Sequence, residues 1–215
     1  MNMERIQDIA FDQMGNRKDP PEREPGWLYY HGVRAGNIAR QIAARLGAEI
    51  NQDVLRAGAL FHDIGKGKPD HNEAGARLAV ELLSPHCSAA ECEQICEIVR
   101  LHNQRRLSSE HTLAVRIIQD ADALDHFGPI GAWLAIYWSG AHNESAQDHM
   151  HYIRGDRNRR YREAIRKALN FEESVAMFDE RLRWEDGFFD TFRQTYFDGR
   201  FPLSGNGDPH STKRD

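Results

Sequence analysis

His62 and Asp63 stand side by side and are followed at once by the breaker Gly65-Lys66-Gly67. Adjacent residues on a helix project about 100° apart, so both side chains reach one ion only if it lies off the helix end. The glycine-flanked turn supplies such an end. Taken alone, the pair reads as a surface pair or a capped terminus. Its context changes that. His31 lies on the preceding helical segment. Asp122 lies on a later one, inside Gln119-Asp120-Ala121-Asp122-Ala123-Leu124-Asp125. Carboxylates crowding a largely apolar helix need a cation or hydrogen-bond donors. His31, His62, Asp63 and Asp122 together make two imidazoles and two carboxylates. That mixed set suits a divalent ion such as Mn²⁺, Fe²⁺, Co²⁺ or Mg²⁺ better than a structural zinc site. Four protein ligands on an octahedral ion leave two positions for water and substrate.

Further residues could serve the same chemistry. A divalent ion lowers the pKa of bound water and polarises a phosphoryl oxygen. Asp63 is then the candidate to accept the water's proton. Lys66, in its glycine-flanked turn, can reach a phosphate oxygen as a mobile charge, or simply be solvated. His102 ends a helix before Asn103-Gln104-Arg105-Arg106. It can donate to a phosphate or protonate a leaving group; otherwise it is a terminal histidine stabilised by the helix dipole. His71 opens the next helix, where anions are favoured, and so could line a phosphate path. Asp70 and Glu73 have the form of a capping box there, as do Ser88 and Glu91 further on. Asp125 is expected to orient a ligand histidine or to bind an arginine. His86, His111, His126, His142 and His210 have no partner pattern. Cys87, Cys92 and Cys96 read as small buried thiols rather than as a disulfide framework.

The elements that must position these residues are helical almost throughout. Amphipathic spacing predicts helices over 3–14, 27–46, 52–64, 70–83, 88–101, 110–126, 157–169 and 172–197. Leu113, Ile117 and Ile118 should face inward. Residues 130–138 are apolar nearly all round, which predicts full burial. Residues 140–156 read as a loop or a loosely held helix. Residues 204–215 have neither periodicity nor apolar content and are expected to be disordered. The fold class is all-α, a single compact helical bundle over 1–203. A helical extension is read at about 157–199. Trp27, Tyr30, Trp133, Tyr137 and residues 140–156 are the candidate walls of a substrate pocket.

Composition narrows the function classes. The chain has 215 residues and a net charge of −5. An acidic balance argues against general nucleic-acid binding. No apolar run reaches the ~18 residues that span a bilayer. The first residues lack the form of a signal peptide, so a cytoplasmic protein with no membrane partner is expected. There is no Walker phosphate loop, no His-Glu-x-x-His and no Gly-x-Ser-x-Gly.

The pattern His31, His62-Asp63, Asp122 resembles the HD-domain metal-dependent phosphohydrolases. Phe61-His62-Asp63-Ile64-Gly65-Lys66 is close to that superfamily's usual wording. A narrower resemblance is to the small bacterial HD hydrolases of the YpgQ/YedJ type. It rests on residues 118–125, the stretch Gly128 to Gly131, His71-Asn72-Glu73, Leu101-His102 and the long helix after 171. The likeness is good over about 27–138 and loose beyond. It implies a bundle whose central helices hold one catalytic metal, with His31, His62, Asp63 and Asp122 matching the ligand positions. One divalent ion per chain is expected, Mn²⁺ first, with Mg²⁺, Co²⁺, Fe²⁺, Ni²⁺ or Zn²⁺ also tolerated. The metal-activated water attacks a phosphorus, and the narrower group is associated with nucleotide pyrophosphate hydrolysis. The implied partner is a small phosphorylated molecule, a nucleotide. Alternatives are a nucleotidase or phosphodiesterase, a diiron oxygenase recruiting His71 and His102, and a non-catalytic ligand-sensing module. Oligomeric state stays open.

Overall fold

The computed structural model of the chain describes residues 1–18 and 23–200, with the backbone alone at 106–108. Among the described residues there are ten α-helices, one 3-10 turn and no strand, as the all-α reading expects. The tail expected at 204–215 lies outside them. No described helix is long and apolar enough to cross a membrane.

Helix α2 (Trp27–Arg45) is central. Its buried residues Trp27, His31, Ala35, Ile38 and Ile42 recur every three or four positions. His31 therefore sits on the core-facing stripe of an amphipathic helix. This helix packs chiefly against α3 (Gln52–Phe61) and α6 (Leu113–Asp125). Gly32 permits the closeness: a Cβ there would lie 2.9 Å from the Ala59 carbonyl oxygen and from the Leu60 Cα. Helix α1 (Met3–Met14) lays Ile6, Ile9, Ala10 and Met14 into the same core.

Helix α3 stops at Phe61, three residues sooner than its periodicity suggests, and His62 becomes its C-cap. The turn that follows is braced by Arg17, which donates to the carbonyls of Ile64 and Lys66. Gly65 lets this turn touch the start of α4 (His71–Leu83), since a Cβ would fall 2.0 Å from the His71 carbonyl oxygen.

Helix α5 (Ala89–Leu101) pairs with α4 and opens on the expected capping box, the Glu91 amide donating to Ser88 Oγ at 3.3 Å. The box expected at Asp70 and Glu73 does not form. Asp70 takes φ +48°, whereas a capping side chain needs an extended backbone, and it makes no capping bond. Glu73 instead accepts from Arg100 Nε at 2.7 Å.

A 3-10 turn, Arg105–Glu110, then delays α6 to Leu113. Leu113 is exposed on the first turn rather than facing inward, while Ile117 and Ile118 are fully buried. The expected burial of 130–138 is also overturned. In α7 (Pro129–Ala141), Trp133, Ile136 and Trp138 are exposed, because the helices over 146–154 and 172–198 cover one side of this apolar helix.

The stretch left open at 140–156 contains a capped helix, α8 (Ala146–Arg154), with Ser145 and Asp148 forming its capping box. Helices α9 (Asp156–Ala168) and α10 (Glu172–Asp198) follow. Met177 and Phe178 join the main core, whereas Phe189 joins Ala132 and Met150 in a smaller cluster; Tyr196 is exposed. The turn between α9 and α10 is tied to α6 at Asp120, which accepts from the Asn170 amide at 2.9 Å and from Asn170 Nδ2 at 2.8 Å.

Candidate metal centre

Helix ends build the site. His62, His102 and His126 are the C-caps of α3, α5 and α6. The last carbonyls of a helix lack intrahelical partners, and a capping imidazole can satisfy one of them. His62 Nδ1 lies 2.6 Å from the Ala59 carbonyl oxygen, and His102 Nδ1 lies 2.8 Å from that of Val99. Each Nδ1 is therefore the donor, assigned from its partner, and each Nε2 is left as a bare acceptor. His31 reaches the same state differently. Its Nδ1 lies 2.7 Å from Asp125 Oδ2, and Arg34 in turn donates to that carboxylate at 2.8 Å. Trp27 stacks on the His31 ring at 5.6 Å and 8°. Ring position and tautomer are thus both fixed by neighbours.

The bare atoms converge. His31 Nε2 and His62 Nε2 are 3.1 Å apart. Asp122 Oδ1 lies 3.2 Å from His31 Nε2 and 3.8 Å from His62 Nε2, and Asp63 Oδ2 lies 3.9 Å from His62 Nε2. Electron-rich atoms facing one another in a buried place repel unless a cation sits among them. The electrostatics carry that signature. Burial pulls the His31 imidazole down, yet hydrogen bonds to Asp122 and Asp125 outweigh it and raise its pKa to about 9. Burial pushes His62 down to about 4. Burial opposes the Asp63 carboxylate, but His62, His102 and Lys66 prevail and hold its pKa well below the usual range. Asp122 is also held well below it, by His31, His62 and Arg105 against the cost of burial. In the metal-free chain a proton on His31 Nε2, shared with Asp122 Oδ1 at 3.2 Å, is favoured and adds to the positive charge of Lys66 and Arg105. The donor set fits a divalent cation in that proton's place.

Among the described residues, three overlapping sets bring one ligand atom each to within 4.8 Å of one another. They are His31, His62 and Asp63; His31, Asp122 and His126; and Asp63, His71 and His102.

Comparison with known proteins follows this geometry. The model of the HD domain matches residues 28–126, which include His31, His62, Asp63 and Asp122. Over those residues the chain is similar to the HD domain. Solved structures extend the likeness beyond that stretch. Bacillus subtilis YpgQ, solved in complex with ADP, is 16% identical with a TM-score of 0.60 over 90% of this chain and 97% of that one. An HD-superfamily hydrolase from Bacillus thuringiensis is 17% identical with a TM-score of 0.64 over 90% and 96%. At these identities the shared property is the fold. A bifunctional uridylyltransferase/uridylyl-removing enzyme from Ruegeria pomeroyi is 45% identical over 60 residues. That match spans 26% of this chain and 6% of that enzyme.

A cavity of about 390 Å³ opens on this site. Lys66, His71 and His102 all line it. Lys66 Nζ is 3.2 Å and His102 Nε2 is 3.5 Å from Asp63 Oδ1. His71 Nε2 lies 3.3 Å from Asn103 Nδ2, so it accepts there. Of the expected walls, Trp27 lines this cavity, whereas Tyr30, Trp133 and Tyr137 do not. Asp125 both orients His31 and binds Arg34, the two roles expected for it. The cysteines are free, Cys92 and Cys96 buried and Cys87 half-buried.

Two residues of the site escaped sequence reasoning. His126 was grouped with histidines lacking a partner, yet its Nε2 is 3.8 Å from Asp122 Oδ1 and its ring is 5.1 Å from that of His31. Its spacing of four from Asp122 was the available signal. Arg105 donates to Asp122 Oδ2 at 2.7 Å. The basic pair Arg105-Arg106 is plain in the sequence, but nothing local pairs it with Asp122.

Proposed function

We propose that this chain is a metal-dependent phosphohydrolase that cleaves a phosphoanhydride of a nucleotide. The observation that carries the reading is the convergence of His31 Nε2, His62 Nε2, Asp63 and Asp122 on one buried point beside a cavity lined by Lys66 and Arg105. His31, His62, Asp63 and Asp122 are the residues that would hold one divalent ion, Mn²⁺ by preference. Such an ion supplies a nucleophilic water at neutral pH and polarises a phosphoryl oxygen.

The chain's own residues do the rest. Lys66 and Arg105 hold the anionic phosphates in the cavity. Asp63 accepts the proton of the attacking water as its oxygen bonds to phosphorus. His102 Nε2, in reach of Asp63 Oδ1, takes that proton from Asp63 and passes it to the bridging oxygen as the anhydride bond breaks. His71 lines the phosphate path at the start of α4. The nucleotide assignment is supported by the fold shared with YpgQ, which was solved with ADP. No general nucleic-acid or membrane partner is assigned.

A second reading has one observation in its favour. Asp63 belongs both to the set with His31 and His62 and to the set with His71 and His102. It could therefore bridge two ions, as a diiron oxygenase would require. Two iron atoms per chain would favour that reading; one divalent ion favours hydrolysis.

The test is a hydrolysis panel. Protein stripped of metal and reloaded with Mn²⁺ is offered nucleoside mono-, di- and triphosphates and a generic phosphodiester, with Asp63→Ala as control. Pyrophosphate released from triphosphates, and absent in the control, is the expected result. Phosphate released from monophosphates would assign a nucleotidase instead. Metal-loaded protein that turns over none of these would contradict the hydrolytic reading and favour oxygenation or sensing.

A further inference from the structure

The metal-site cavity has a neighbour. Arg23, His126 and Tyr161 also line a second chamber of about 520 Å³, walled largely by α7, α8 and α9. A drug-sized ligand fills a pocket of about 300–1,000 Å³. Both cavities fall in that range, and the residues they share set them side by side.

The chamber contains a polar relay that no step of the hydrolysis uses. Ser139 Oγ donates its only proton to Glu144 Oε2 at 2.8 Å. It is also 2.8 Å from His149 Nδ1, so that nitrogen must be the donor. His149 Nε2 is then a bare acceptor. The ring is 5% exposed, and Nε2 is buried without a hydrogen bond. Burial pushes the His149 pKa down, which keeps the ring neutral and the acceptor bare. Buried acceptors without partners are uncommon in folded chains and mark a place where a donor is expected. Beside the relay, Trp138, Tyr152 and Tyr161 line the chamber and leave 43%, 45% and 49% of their surface exposed. Exposed aromatic faces around a single buried acceptor suit a flat ring with an N–H on its edge.

We propose that this chamber receives the base of the nucleotide, with a ring or exocyclic N–H donated to His149 Nε2 and the phosphates directed toward Lys66 and Arg105. This rests on the phosphohydrolase reading and adds where the substrate's identity is read. Glu144 and Ser139 are positioning residues that fix the His149 tautomer.

The test compares kcat/KM for nucleoside triphosphates with that for inorganic tripolyphosphate, which has no base. His149→Asn keeps a donor to Ser139 and removes the Nε2 acceptor. The nucleotide-to-tripolyphosphate ratio is expected to fall about tenfold or more, the loss typical of one hydrogen bond to a buried group. Ser139→Ala, which frees the tautomer, should shift the ratio the same way by less. Thermal midpoints check that both variants fold. A ratio unchanged in both variants overturns the proposal.

A binding measurement separates this from the hydrolytic reading. Saturation-transfer NMR with ADP on metal-loaded protein should show transfer to the base protons, lost in His149→Asn. If the wild type hydrolyses nothing yet shows that transfer, the hydrolytic reading fails and the chamber stands. Transfer confined to the ribose, or none in the wild type, overturns the chamber.

Discussion

His31 Nε2 and His62 Nε2 face each other across 3.1 Å, and the opposite nitrogen of each ring is already committed, to Asp125 and to the Ala59 carbonyl. Neither ring can turn its lone pair away without breaking a buried hydrogen bond. The pair is therefore preorganised for a cation, and the cost of orienting it is met by the fold rather than by binding. Similar capping occurs at His142, whose Nδ1 lies 2.8 Å from the Trp138 carbonyl oxygen, but His142 belongs to none of the three ion-holding sets among the described residues. Capping fixes a ring; convergence makes a site.

Asp125 should act on the metal without touching it. Asp125→Ala removes the acceptor of His31 Nδ1 and the partner of Arg34. Divalent-metal affinity is expected to fall about ten- to hundredfold, the usual cost of losing the partner that orients a ligand histidine. Isothermal titration with Mn²⁺ reads this directly. An unchanged dissociation constant would mean that His31 is held by its packing on Trp27 alone.

Gly65 should tolerate no side chain. Its Cβ would lie 2.0 Å from the His71 carbonyl oxygen and 2.7 Å from the Gly75 amide nitrogen, both backbone atoms. Gly65→Ala must displace either the turn after His62 or the start of α4. A loss of about 1–3 kcal/mol follows from overpacking of this kind. Urea denaturation checks it, and metal affinity should fall as well, because the same turn carries Asp63 and Lys66. A variant as stable as the parent would show that the turn moves freely.

Ser88 provides a contrast at a distance. Its hydroxyl accepts from the Glu91 amide at the start of α5, on the exposed surface. Ser88→Ala should cost about 1 kcal/mol in urea denaturation through loss of the cap. Mn²⁺ affinity should stay unchanged, since the substitution leaves the His102 end of α5 in place. A change in affinity would reveal coupling along the helix.

What the sequence made legible was chemistry held in local order. His62-Asp63 beside Gly65-Lys66-Gly67 announced a helix end bearing two donors, and the structure sets His62 at the C-cap of α3. Asp125, three residues beyond Asp122, announced an orienting carboxylate. Ser88 and Glu91 announced a cap. What stayed hidden depended on partners distant in the chain or on backbone angles. Arg105 meets Asp122 across the 3-10 turn, and no local pattern encodes that contact. Asp70 has the residue type of a cap but not the backbone angle. The exposure of Trp133 and Trp138 in α7 contradicts the apolar composition of that helix, because burial is decided by what covers a face and not by the face itself. The relay through His149 was hidden in the same way, in a stretch whose polar composition suggested a loop.

The central claim is that His31, His62, Asp63 and Asp122 hold one divalent ion. Electron paramagnetic resonance of metal-stripped protein titrated with Mn²⁺ tests it most directly, because free Mn²⁺ is counted as the protein takes it up. One saturable tight site per chain is predicted, lost in His62→Ala and in Asp63→Ala. No saturable uptake by folded wild-type protein, or uptake that survives both substitutions, would contradict it.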